Sequence, residues 1–262
     1  GVRNAKDVCP DFLPIMIRSR STVMASKLRR FIQAWILRNF IDFMTATSPF
    51  SFVTQRRPMI SVVKPLLFCF LLLPSLLIAY AIFFDPLMLG ANPAEFILRH
   101  TGDWVIYSLL LTLAVTPVRR LTKWNGALKL RRMMGLFSFY YVSLHFLAYL
   151  GFDRLFDLSD MAHEIAKRPF ILVGFVAFIL MIPLAITSTR RWVLRLGGKT
   201  WVRLHKIIYA IAILGIIHYW WLVKRDIFWP LLLGLVLMAL LVYRLYFIFR
   251  SAPRQRGAKV SF

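Results

Sequence analysis

Six long apolar segments constrain the fold of this chain more than any other feature of its sequence. A helix rises about 1.5 Å per residue, so each segment can cross most or all of a hydrocarbon layer about 30 Å thick. In lipid, backbone amides and carbonyls must be hydrogen-bonded within the segment, which a helix achieves. We therefore predict an all-α membrane protein with a six-transmembrane-helix bundle. The segments are approximately 66–84, 104–118, 133–151, 170–187, 207–223 and 228–249.

Composition agrees with a membrane protein and excludes a soluble nucleic-acid-binding protein, which is the class that the net charge alone would suggest. The chain is 59% hydrophobic, whereas soluble domains average about 45–50% apolar residues. Its formal net charge of +23 is typical of nucleic-acid binders, but a basic soluble binder would not carry several long apolar runs.

The basic residues instead indicate how the chain is oriented. Most of the 34 Lys and Arg residues lie in the N-terminal 65 residues, in the loops after the second and fourth segments, and in the tail from Arg244. Most of the 11 Asp and Glu residues lie on the other side. By the positive-inside rule both termini are predicted to be cytoplasmic, and the excess charge to contact anionic lipid head groups.

The two ends of the chain differ from the six-helix region. Residues 1–58 mix Arg, Ser, Pro and aromatic residues without a sustained period, and we interpret them as an extension upstream of a native start at Met59. Alternatively, 27–44 forms a basic amphipathic helix on the membrane surface. The predicted organisation is thus an extension over 1–58, a six-helix domain over 59–250 and a basic cytoplasmic tail over 251–262.

No motif of a soluble catalytic domain is found in the sequence. Gly197-Gly198 is a lone glycine pair without the context of a GxGxxG or GxxxxGKS motif. Cys9 and Cys69 form neither a CxxC pair nor a CxxCH haem-attachment motif. A self-contained ferric or oxygen reductase would need a flavin and nicotinamide domain, and none is encoded here.

Three histidines lie in or at the ends of the apolar segments. His145 and His218 lie at matching depth in the outer halves of the third and fifth segments. Two neutral imidazoles facing each other from separate helices can supply both axial ligands of a haem iron. His205 lies thirteen residues before His218, roughly 20 Å along a helix axis. His205 therefore lies at the cytoplasmic end of the fifth segment, where it is placed to ligate a second haem.

The inner haem has no evident second histidine ligand. Thirteen residues at about 100° each leave His205 and His218 roughly 140° apart on an ideal helix. Either that helix is distorted, with Gly215 as a candidate position, or the two histidines face different neighbours. Arg131 lies fourteen residues before His145 on the same face. Because arginine stays protonated, it suits a haem propionate better than iron.

Two other interpretations of the histidines are open. In one, each histidine hydrogen-bonds across helices as part of the packing. In the other, the histidines form the proton relay of a transporter, which normally also uses intramembrane carboxylates. Asp85, Asp103 and Asp226 all lie at the outer ends of the segments, which argues against a relay. His100 and His163 are expected to be exposed in outer loops.

Short motifs along the chain resemble those of a known family. In order, they are Arg99-His-Thr-Gly102, Thr116-Pro-Val-Arg119, Arg131-Arg-Met-Met-Gly135 leading to Leu144-His145, Thr187-Ser-Thr189, Leu196-Gly197 leading to Leu204-His205, and Ile217-His218-Tyr219. Over about residues 60–250 they are similar to the MsrQ (YedZ) family, the haem-binding membrane subunits of the bacterial periplasmic methionine sulfoxide reductase system. That family belongs to the ferric-reductase-like transmembrane group, which has the NADPH oxidases as relatives.

The resemblance implies that His145, His205 and His218 are iron ligands in a b-type haem electron conduit of the bacterial inner membrane, with FMN as an associated cofactor. It implies that electrons come from a cytoplasmic flavin reductase or the quinone pool. They would pass to MsrP, a periplasmic molybdopterin enzyme that repairs oxidised methionine. The chain would then be an electron-transfer subunit and not the catalytic one.

Two features near the histidines stay open under this resemblance. The chain lacks the second third-span histidine of the oxidase relatives, so the ligand opposite His205 is unassigned. Lys224 and Arg225 lie just outside His218. They either offset haem propionates, help to dock a partner, or serve as ordinary interfacial anchors.

Overall fold

The described part of the chain is built from helices joined by short turns. The computed structural model describes residues 58–153, 156–223 and 226–251, and all regular structure in these ranges is helical. The helices are α1 (Pro58–Phe83), α2 (Pro93–Thr122), α3 (Ala127–Ala148), α4 (Leu158–Lys167), α5 (Pro169–Ile186), α6 (Arg190–Leu196), α7 (Gly198–His205), α8 (Ile208–Leu222) and α9 (Phe228–Ser251). A 3₁₀ turn (Pro86–Leu89) follows α1, and a π-helical turn (Tyr149–Asp153) extends α3.

Six stretches of these helices are long and apolar enough to cross a membrane, which confirms the predicted six-helix architecture. They are Ile60–Phe83, Pro93–Thr122, Ala127–Phe152, Pro169–Ile186, Gly198–Leu222 and Phe228–Arg250. The predicted extension, the tail beyond 251, and Lys224 with Arg225 lie outside the described residues. The interpretations given for them above remain predictions.

The second span begins earlier than its apolar segment. Asn92 caps α2 by accepting a hydrogen bond from the Glu95 amide at 3.2 Å, and Pro93 occupies the first turn, where its missing N–H costs nothing. The helix therefore includes His100 and Asp103, both half-buried. The expectations that His100 lies in a loop and that Asp103 lies at a span end were wrong, because the first three turns of this helix mix polar and apolar residues and so give no clear hydropathy signal.

The fifth span is divided into two helices. The helix α7 ends at His205 and α8 begins at Ile208, whereas Gly215, the position considered for a distortion, lies within α8. Gly197, with φ +73° and ψ 148°, separates α6 from α7. His205 and His218 therefore belong to different helical segments, and the ideal-helix relation between them does not apply.

Packing of the bundle centres on α2, which lies along α3 and also contacts α8 and α9, while α5 lies along α8. Ser108 of α2 and Ser138 of α3 are fully buried, and small residues of this kind allow membrane helices to approach closely. Tyr141 of α3 is also fully buried and donates a hydrogen bond to the Leu71 carbonyl of α1 at 2.6 Å. These contacts hold α3 in place, and α3 carries His145.

Candidate haem-binding site

The structure brings His145 and His218 together. His145 lies near the outer end of α3, and His218 lies in the second half of α8. Their ring centroids are 6.2 Å apart, and the ring planes form an angle of 84°. The two helices thus present their imidazoles to the same space at the same depth.

Each of these rings is oriented by a backbone carbonyl of a neighbouring helix. The His145 Nδ1 lies 3.0 Å from the Leu98 carbonyl oxygen of α2, and the His218 Nδ1 lies 2.6 Å from the Phe170 carbonyl oxygen of α5. Because a carbonyl only accepts, Nδ1 must carry the proton in both rings. The lone pair of Nε2 is then available to a metal, as in most histidine–metal sites.

A glycine lies beside each ring, four residues after the carbonyl that orients it. A Cβ at Gly102 would lie 3.2 Å from the His145 Nδ1, and a Cβ at Gly174 would lie 2.7 Å from the His218 Nδ1. Both imidazoles therefore rest directly against helix backbone. Sequence reasoning missed Gly174 and quoted Gly102 only within a motif. The only signal in the sequence was a glycine inside an apolar helix, and that does not reveal which side chain packs against the glycine.

The separation of the rings fits one iron atom between them. A metal–nitrogen bond is about 2 Å long. With the ring centroids 6.2 Å apart, a single iron atom would have room between the two imidazoles.

A carboxylate lies next to this pair. Asp103 follows Gly102 on α2, and its carboxyl group lies close to the side chain of Tyr219, the residue after His218. The span thus does carry an acidic residue, contrary to the argument used above against a proton relay. Asp103 thus places a carboxyl group beside the histidine pair.

His205 lies in a separate site with a different set of contacts. Its Nδ1 is 3.1 Å from the Trp201 carbonyl oxygen, and its ring stacks on the Trp201 indole with centroids 3.9 Å apart. The indole N–H donates to the Thr187 carbonyl at 2.8 Å, which fixes the stack to the end of α5. The His205 Nε2 is buried and has no hydrogen-bond partner among the described residues.

A cavity of about 670 Å³ adjoins His205. Four cationic side chains line it, and its lining within the described part of the chain includes neither Asp nor Glu. These cations are Arg131, Arg132, Arg190 and Lys206. An orphaned imidazole nitrogen in a cation-lined space fits a metal cofactor with anionic groups. His205 is the sole histidine in this lining, and Met181 is its one thioether.

Known proteins resemble this chain over most of its described length. The family model described as ferric reductase like transmembrane component matches residues 101–216. A curated relative from Herminiimonas arsenicoxydans, named protein-methionine-sulfoxide reductase heme-binding subunit MsrQ, is 50% identical over 202 residues, which cover 76% of this chain and 92% of the relative. The chain belongs to the MsrQ family.

Other MsrQ relatives agree with this assignment. The protein of the same name from Ralstonia nicotianae is 50% identical over 165 residues, covering 62% of this chain and 76% of the relative. That from Caulobacter vibrioides is 45% identical over 166 residues, covering 63% and 79%. As an MsrQ family member with six spans, the chain is a multi-pass protein of the bacterial cell membrane. The family-model match includes His145 and His205 and ends two residues before His218.

Proposed function

We propose that this protein is the haem b electron-transfer subunit of a periplasmic methionine sulfoxide reductase system. The observation that carries the proposal is the His145–His218 pair, whose rings are 6.2 Å apart and whose Nδ1 atoms are both bonded to carbonyls. Membership of a family named for haem binding supports the same conclusion.

The three histidines take different roles in this proposal. When bound, haem supplies a one-electron iron couple. His145 and His218 would hold the outer iron, and Gly102 and Gly174 let the Nδ1 edges of both imidazoles approach the backbone of α2 and α5. His205, held by Trp201, provides the ligand of an inner site. The chain thereby offers redox positions at two depths of the bilayer.

Partners on both sides complete the proposed electron path. The relatives are named as a subunit of a reductase, so catalysis belongs to a second protein, for which we propose the periplasmic molybdopterin enzyme MsrP. The donor is proposed to be a cytoplasmic flavin reductase or the quinone pool, with FMN as associated cofactor. The four cations lining the inner cavity suit the phosphate of FMN or the propionates of haem, because each bears negative charge.

Two rival functions predict different behaviour. A histidine-using transporter would be colourless and would show solute flux that depends on the same histidines, with Asp103 as a candidate relay residue. A ferric or oxygen reductase-type haem protein would pass electrons to iron chelates or oxygen without MsrP. The carbonyl-bound Nδ1 atoms favour haem, because a relay needs both ring nitrogens free to exchange protons.

Reduced-minus-oxidised visible spectra of the purified protein test the proposal. We expect b-type haem bands in the wild type, loss of the outer component in His145→Ala and His218→Ala, and loss of a distinct component in His205→Ala. His163→Ala, at an exposed position of α4, is the matched control and should leave the spectrum unchanged. The reduced protein should be reoxidised by MsrP and a methionine sulfoxide substrate. A wild type without haem bands would refute the proposal.

A further inference from the structure

Arg244 of α9 is a cation inside the sixth span, and its hydrogen-bond partners among the described residues are all neutral. It donates to the Tyr209 hydroxyl of α8. On α2 it donates to the Thr116 Oγ1 at 2.8 Å and to the Leu113 carbonyl at 3.1 Å. Its Nε is buried and has no hydrogen-bond partner in the described part of the chain. One guanidinium thus joins three helices, and its partners within the described ranges include no counter-ion.

The charges around Arg244 have the same sign as its own. Its charged neighbours include Arg120 and Arg131, and Arg131 also lines the cavity at His205. The ion pairs described elsewhere in the chain, Arg99–Glu95 and Arg168–Glu164, do not involve it. An uncompensated cation within a span is costly. Neutral side chains with hydroxyl groups could form hydrogen bonds between the same helices without placing a charge in the membrane. Packing alone therefore does not account for a cation at this position.

Tyr209 connects Arg244 to the inner cavity. Its side chain lines that cavity together with His205, and the guanidinium carbon lies 5.0 Å from the centre of its ring. Arg244 therefore reaches the cavity wall through a hydrogen bond to a tyrosine that lines the cavity.

We propose that Arg244 is a positioning residue of the inner site, which acts through Tyr209 and its own charge to favour electron entry at His205. The proposal rests on the proposed function. Accepting one electron from the reduced flavin or quinol adds one negative charge to the site. A fixed cation in a low-dielectric environment stabilises that charge, and no proton has to be moved, because the counter-charge is already present.

Redox titration of the visible spectrum tests this role. In the intact protein, Arg244→Gln should lower the midpoint potential of the component that His205→Ala removes, by about tenfold in the equilibrium constant for reduction, or ~59 mV for one electron. The component assigned to His145 and His218 should not move. Arg244→Lys, which keeps the charge, should recover most of the shift.

Arg250→Gln is the matched control, since Arg250 also lies on α9 and donates to a tyrosine, Tyr246, at 3.3 Å, but in an exposed position. It should leave both midpoints unchanged. Tyr209→Phe keeps the cation and loses only the hydroxyl contact, so it should give a smaller shift of the same sign. If Arg244→Gln does not fold, Tyr209→Phe alone tests whether the Arg244–Tyr209 contact affects the midpoint potential.

Three results separate the possible failures. If Arg244→Gln and Tyr209→Phe keep their haem and both midpoints, this inference is overturned and the proposed function stands. If His205→Ala leaves the wild-type spectrum and both midpoints unchanged, no haem is held there, and the inference fails together with the inner half of the proposed function. An equal shift of both components would assign Arg244 a general structural role and also overturn the inference.

Discussion

At the scale of single residues, the outer site repeats one local arrangement on two helices. A carbonyl in α2 or α5 accepts from the histidine Nδ1, and the glycine four residues later lies beneath the same ring. Leu98 with Gly102 serves His145, and Phe170 with Gly174 serves His218. Residues four apart lie on one face of a helix, so each pair lets the Nδ1 edge of an imidazole contact the helix backbone.

Adding a methyl group at these glycines should displace the rings. A Cβ at Gly174 would lie 2.7 Å from the His218 Nδ1, inside van der Waals contact, and one at Gly102 would lie 3.2 Å from the His145 Nδ1. We expect Gly174→Ala to lower haem affinity at the outer site by roughly 10–100-fold, as for other losses of ligand orientation, and Gly102→Ala to do so less. Titration of the haem-free protein with haem measures both.

Gly234→Ala is the control for this pair of variants. Its Cβ would meet an Ile216 methyl group at 3.5 Å, an ordinary contact, and alanine favours the helix by about 1 kcal/mol. Haem affinity should therefore stay at the wild-type value. Equal affinities for Gly174→Ala and Gly234→Ala would show that the close approach at His218 has no functional weight.

At the scale of elements, the divided fifth span determines what each histidine contacts. The interruption between α7 and α8 leaves His205 stacked on Trp201 of its own helix, while His218 faces α5. Both alternatives raised by the roughly 140° offset are found: the helix is interrupted between His205 and Ile208, and the two histidines have different neighbours. Gly197 begins this arrangement, because its positive φ lets the chain turn from α6 into α7.

Gly197→Ala should destabilise the protein through its backbone alone. A Cβ there would meet nothing within 4 Å, but φ is +73° and ψ is 148°, a region that is essentially restricted to glycine and costs other residues about 1–3 kcal/mol. The neighbouring Gly198 has the same open surroundings without a positive φ, so Gly198→Ala should be neutral or slightly stabilising. Thermal unfolding in detergent compares the two, and equal melting temperatures would contradict the expectation.

At the scale of the whole molecule, orientation in the membrane gives the electron path its direction. If both termini are cytoplasmic, as the basic loops predict, then His205 and its cation-lined cavity face the cytoplasmic donor. The His145–His218 pair with Asp103 then faces the periplasmic acceptor. The reverse orientation would place the cavity on the side of the acceptor.

Single-cysteine labelling tests this orientation. In a background with Cys9 and Cys69 replaced by serine, Ser159→Cys on α4 and Thr200→Cys on α7 occupy exposed positions. A membrane-impermeant maleimide added to intact spheroplasts should label only the first, and lysis should expose the second. Labelling of Thr200→Cys before lysis would reverse the assigned sides.

The parts of this molecule that could be predicted are those that depend on the lipid. Long apolar runs predicted the six spans, and matching depth predicted that His145 and His218 face each other, because the bilayer imposes a common length and depth scale. The helical turns that carry His100 and Asp103 were missed, since a polar cap extends a helix without any apolar signal. Gly174 and Trp201 were missed because their roles depend on which helix or ring packs against them.

The carbonyls that orient His145 and His218 also determine which residues must be preserved if the sequence of the outer site changes or the site is redesigned. Leu98 and Phe170 contribute only main-chain oxygen atoms, so their side chains are free to vary without changing the tautomer of either ring. A designer transplanting the site into another four-helix neighbourhood would need to copy two histidines and two glycines in register, and could choose the other residues for packing alone.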